Sequence, residues 1–160
     1  MGAVFSPDRI YRYRLTRDGA MGGSTCLFIM LNPSTADEKV DDPTIRRCMA
    51  YAARWGHARL EVVNLFALRA TNPMQLRLFR GDPVGPDNDR HIMEAVQDAD
   101  IVIAAWGQHG KLLGRAGEVR QMALNMRRPL YCLRRSRDGQ PAHPLYLPGD
   151  LEPQILDGAI

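Results

Sequence analysis

Four largely apolar runs punctuate the chain: TCLFIML at 25–31, RLEVVNLF at 59–66, DIVIAAW at 100–106 and RPLYCL at 128–133. Runs of this length, rich in β-branched residues, read as strands buried on both faces of a sheet. Between them the apolar positions recur every three to four residues. Ile45, Cys48, Met49 and Ala52 form one such stripe, opened by Asp42-Pro43 and closed by Gly56. Ile92, Met93 and Val96 form another within 87–98, and residues 111–126 a third. Strand and helix alternate, which predicts a single α/β domain over 1–160: three α/β/α layers around a central, mainly parallel sheet of about four strands.

The segment RIYRYRLTRDG at 9–19 alternates polar and apolar residues and runs into Asp18-Gly19, so it reads as an exposed strand and turn. Residues 1–22 are accordingly assigned to an accessory N-terminal edge strand, 23–148 to the core and 149–160 to a tail. Asn72-Pro73 opens a short helix in the loop after the second run, and Gly81 to Pro86 is a flexible connection.

The polar residues that interrupt this scaffold gather just beyond the strand ends. Asn32-Pro33-Ser34-Thr35 follows the first run, Asn64 lies near the end of the second, Trp106-Gly107-Gln108-His109-Gly110 follows the third, and His143-Pro144 lies past the fourth. Each is ordinary turn chemistry taken singly. Together they describe one edge of a parallel sheet, the carboxyl edge, where ligands bind in such folds.

Composition adds a partner class. The net charge is +3, and of 21 basic residues only Lys39 and Lys111 are lysines. Arginine forks match phosphates and stack on bases, so DNA or a nucleotide fits, although GC-rich coding would give the same bias. Three widely spaced cysteines in apolar settings suit buried thiols. No secretory leader or membrane-spanning run is legible, which points to a cytoplasmic protein.

Familiar catalytic templates are absent. GQHGKL has the wrong glycine spacing, and Leu112 stands where a P-loop places Ser or Thr. No G-x-S-x-G elbow, H-E-x-x-H or zinc-spaced Cys/His set occurs, and no cofactor or metal is implied. His57 and His91 fall on helical segments and read as packing or surface residues; His109 and His143 lie on the polar edge.

The strings NPSTAD, DDPT and NLFALRAT over residues 25 to about 130 resemble a bacterial family catalogued as domain of unknown function 1643. The ordered series LNPS at 31–34, VVNLF at 62–66, AAWGQHGK at 104–111 and AHPLYLP at 142–148 remotely resembles the uracil-DNA glycosylase superfamily. That likeness implies a glycosylase-like fold and N-glycosidic base excision. Asn32 would position the attacking water and Pro33 would fix its turn. Ser34 would border the base pocket; Thr35, Trp106, Gly107 and His109 are candidates for substrate contact from their place on the same polar edge. Asn64 would pair with the base edge, and His143 would donate to a base carbonyl as charge develops.

The residues also depart from that pattern. Met30 stands where glycine precedes the x-N-P, Asn32 is an amide rather than a base, and Leu-Tyr-Leu-Pro follows His143-Pro144. The first exit carries Asp37, Asp41, Asp42, Arg46 and Arg47; Asp42 reads foremost as a helix cap, and Asp37 as a catalytic candidate. Arg46, Arg47 and Arg115 are candidates for phosphate, and Arg69 for an anion or an ion pair with an aspartate. Three readings follow: a base-excising enzyme, a base-binding module without hydrolysis, and a different enzyme using Asp37 or Asp41 with arginines on a small anionic substrate.

Overall fold

A computed structural model of the chain describes residues 1–19 and 23–158. In chain order the elements are β1 (Gly2–Phe5), β2 (Arg12–Asp18), β3 (Thr25–Met30), α1 (Pro43–Arg54), β4 (Arg59–Asn64), α2 (Met74–Leu78), α3 (Asn88–Asp98), β5 (Ile101–Ala104), α4 (Arg115–Asn125), β6 (Leu130–Cys132) and β7 (Gln154–Asp157), with a kinked 3-10 segment at Gln108–Gly114 before α4. The strands form one mixed sheet in the order β1-β2-β4-β3-β5-β6-β7. Pairing is parallel through β4-β3-β5-β6, and antiparallel where β2 joins β4, β1 joins β2 and β7 joins β6.

The four apolar runs are thus the parallel centre, and the sheet extends beyond them to seven strands. The N-terminal segment makes a pair rather than a single edge strand. β2 lies inside the sheet with Arg12, Tyr13, Leu15 and Arg17 buried, and β1 takes the edge. Residues 20–22, the end of the expected turn, lie outside the described residues. The tail likewise supplies β7, whose pairing partner is 25 positions or so upstream and leaves no local pattern.

Helix α1 packs on one face through Ile45, Cys48, Tyr51 and Ala52 against Cys26, Phe28, Leu60, Val62 and Ile103. Helices α3 and α4 pack on the other through Ile92, Ala95, Val96, Ala116, Val119 and Ala123 against Leu27, Ile29, Val63 and Val102. Burying each large side chain of these clusters contributes about 1.5–3 kcal/mol. All three cysteines are buried free thiols, and burial raises their pKa values. Among the described residues no helix is long and apolar enough to cross a membrane.

The topology fixes where a site can lie. From β3 the chain crosses to β4 on one side by α1, and from β4 it returns past β3 to β5 by α3. The crossovers diverge between β3 and β5, opening a crevice at their carboxyl ends.

Candidate functional site

A cavity of about 420 Å³ occupies that crevice. Its walls come from the β3 exit (Met30 to Ser34), the start of α1 (Asp42, Thr44, Ile45), the end of β4 (Val62, Asn64), Ala70, Thr71 and Pro73, the β5 exit (Trp106 to His109), the His143 loop, and Arg12. All four polar exits therefore converge on one space.

At the β3 exit, Asn32 Nδ2 donates to the carbonyls of Pro33 (3.0 Å) and Ala70 (2.8 Å), while Ala70 N–H donates to Pro33 O at 2.9 Å. The amide nitrogen is thereby consumed in stitching two loops together. Its Oδ1 accepts from no donor among the described residues, so the atom Asn32 offers is an acceptor, the type needed to hold a water.

The β4 exit is clamped more firmly. Asn88 Nδ2 donates to the carbonyls of Asn64 (2.9 Å) and Leu65 (3.1 Å), and Arg115 Nε donates to Leu65 O at 2.7 Å. The side chain so positioned, Asn64, is 1% exposed, and neither its Oδ1 nor its Nδ2 has a hydrogen-bond partner among the described residues. Leaving such groups buried and unpaired costs about 1–3 kcal/mol.

At the β5 exit Gly107 takes φ +75°, which only glycine adopts readily. Gly110 lies so close under Trp106 that a Cβ there would sit 2.1 Å from the indole Cδ1. The two glycines of WGQHG are thus turn and packing residues. Trp106 Nε1 donates to Gln140 Oε1 at 2.8 Å, fixing the indole, and exposed His109 borders the mouth.

His143 Nδ1 accepts from Leu145 N–H at 3.1 Å, so the neutral ring carries its proton on Nε2 and can donate from there. Burial lowers the His143 pKa below 6.5, with the charge of Asp42 opposing the shift. Asp42 has two tasks available: Oδ1 accepts from Ile45 N–H at 2.9 Å as the α1 cap, and the residue lines the cavity.

Several charged candidates lie elsewhere. Asp37 is outside the lining; its Oδ1 accepts from Lys39 and Val40 N–H groups, both at 2.8 Å, and these bonds lower its pKa. Asp41 pairs with buried Arg17 at 2.7 Å. Thr35 is exposed and does not line the cavity. Arg46 donates to Asp41 O, and Arg47 to Leu147 O while covering the Tyr51 ring; both border a separate shallow groove with Leu145 and Tyr146.

Arg69 donates to Arg9 O at 3.3 Å and lies 4.9 Å from the Phe5 ring centre, and among the described residues it makes no ion pair with an aspartate. Arg115, expected to meet phosphate, is 1% exposed and spent on Leu65 O, Asp89 and Glu118; it holds the site from behind.

Sequence reasoning missed Arg12. It opens β2, and because β2 runs antiparallel to β4 its first residue, not its last, reaches the carboxyl edge. Asn88, placed on a helix but given no role, was missed as well. Among the described residues no group of three or more His, Cys, Asp or Glu is arranged to hold a metal ion.

A family model described as protein of unknown function (DUF1643) matches residues 12–145. No curated protein and no solved structure matches the chain.

Proposed function

The chain belongs to the DUF1643 family, and from that premise we propose that its cavity binds a nucleobase, carried by a nucleotide or nucleic acid, and supports hydrolysis of the N-glycosidic bond. The observation that carries the reading is Asn64. A side-chain amide presents one acceptor and two donors, the complement of a base edge, and here, in a residue that lines the cavity, none has a partner among the described residues. A buried polar group without a partner persists at a cost that a ligand able to pair with it removes.

The surrounding groups suit the reaction. A water held by Asn32 Oδ1 and the free oxygen of Asp42 attacks C1′. The C1′–N bond breaks, its electron pair leaves with the base, and the water's proton passes to Asp42 or solvent. Nε2–H of His143 donates to a base oxygen as that charge develops. The remote glycosylase likeness supports the same assignment.

A binding module without hydrolysis is the second reading, favoured by the bonds that tie the Asn32 amide to two carbonyls and by its lack of basicity. Single-turnover assays on labelled oligonucleotides carrying uracil, hypoxanthine or a G·T mismatch separate the two. Excision by the wild type that is lost in Asn32→Ala, Asn64→Ala and His143→Ala supports the enzyme. Base binding without excision supports the module, and absence of both refutes base recognition.

A further inference from the structure

Three arginines are almost wholly buried, and two are neutralised in the usual way. Arg17 pairs with Asp41, and Arg115 with Asp89 and Glu118. Arg12, 2% exposed, has no carboxylate within ion-pair distance among the described residues. Its Nη1 donates to Ala36 O at 3.0 Å, while Nε is buried without a partner. Burial pulls its pKa down to about 10, so the guanidinium remains charged at neutral pH. A buried cation held without an ion pair, with only the more distant charge of Asp42 to offset it, shares its cavity with the unpaired amide of Asn64. Two buried side chains with unpaired polar atoms thus sit on adjoining antiparallel strands.

We propose that Arg12 is a specificity-determining residue that selects bases able to carry negative charge on an imide N–C=O edge, binding them as delocalised monoanions beside Asn64. This deepens the base-binding reading and rests on it.

The charge balance of the cavity favours a monoanion over a phosphate. Asp42, at the start of α1, opposes Arg12, and a phosphate dianion placed between them would face a like charge. The remaining charged or titratable groups around Arg12 are Arg17, Arg69, His109 and His143. Burial lowers the pKa of His143, so it adds no cation at neutral or higher pH. A flat imide edge takes the paired donors of a guanidinium side-on, as a carboxylate does.

The test is calorimetric titration of the full chain with four bases: 1-methyl-5-fluorouracil and 1-methyl-5-bromouracil, whose only acidic proton is the imide N3–H, and adenine and cytosine, which have no imide. Between pH 6.5 and 8.5 the wild type is expected to bind the two 5-halouracils more tightly as they ionise, and to show no such rise for adenine or cytosine. Arg12→Gln should weaken the acidic bases roughly 10- to 100-fold, the scale of a hydrogen bond to a charged group. Arg12→Lys, which keeps charge without the fork, should restore part of that loss. The wild-type pH profile needs no variant and so stands even if Arg12→Gln fails to fold. Base binding that is indifferent to pH and to both substitutions overturns the role of Arg12 alone. Failure of all four bases to bind overturns base recognition, and this inference with it.

Discussion

Replacing Asn64 by leucine should make the protein more stable and functionless at once. The amide is 1% exposed with both polar atoms unpaired, and each native copy therefore carries a desolvation cost of about 1–3 kcal/mol. Leucine has the same branching, removes that cost, and extends toward a cavity with room for it. The backbone carbonyls held by Asn88 and Arg115 are untouched by the change. Allowing for imperfect packing, the net gain should be about 1–2 kcal/mol. For a domain of this size that raises Tm by about 2–8 °C. Urea denaturation should show a higher midpoint at unchanged slope, the mark of altered stability rather than an altered denatured state. Base binding should disappear in the same variant, the trade-off expected when a strained polar group is kept for function. A loss of more than about 1 kcal/mol in Asn64→Leu would refute the reasoning, because it would mean that the amide makes stabilising contacts in the free protein.

Three further outcomes follow from the same geometry. Asp42→Ala should cost about 0.5–2 kcal/mol through the lost α1 cap, whereas Asp42→Asn should keep the cap and still slow excision, which comparison of melting curves and single-turnover rates resolves. Arg115→Met should destabilise by about 2–3 kcal/mol in urea titrations by freeing Leu65 O and Asp89, without changing the salt slope of any nucleic-acid binding. The depressed pKa values of His143 and His91 mean that the unfolded chain binds more protons; their neutral forms contribute stability present above pH 6.5 and lost as pH falls through the folded values. Base binding should follow the same acid limb, and His143→Gln should remove the part of it due to protonation of Nδ1, which accepts from Leu145 N–H in the neutral ring.

What the sequence made legible was whatever is encoded locally. Each parallel strand is a short apolar run, and the Asp42-Pro43 cap and the glycines of WGQHG act within a few residues of themselves. The convergence of four polar exits follows from parallel pairing, a global rule rather than a local signal. Arg12 was hidden because its importance depends on an antiparallel neighbour some fifty positions away; alternation alone put it on the polar side of an accessory strand. Arg115 misled for the converse reason, since its partners Asp89 and Leu65 are brought to it only by the packing of α3 and α4 behind β4. Asp37 was a nearer miss: an aspartate followed by two residues and a valine is already the pattern of a self-capped turn.

The central claim, that this cavity reads a nucleobase through Asn64, is tested most directly by following the Asn64 side-chain NH2 resonances of 15N-labelled protein as a free base is added. The account predicts that they move, in step with the calorimetric binding curve, as the amide gains its first hydrogen-bond partners. A base that binds while leaving those resonances in place, and shifts residues outside the cavity, would contradict it.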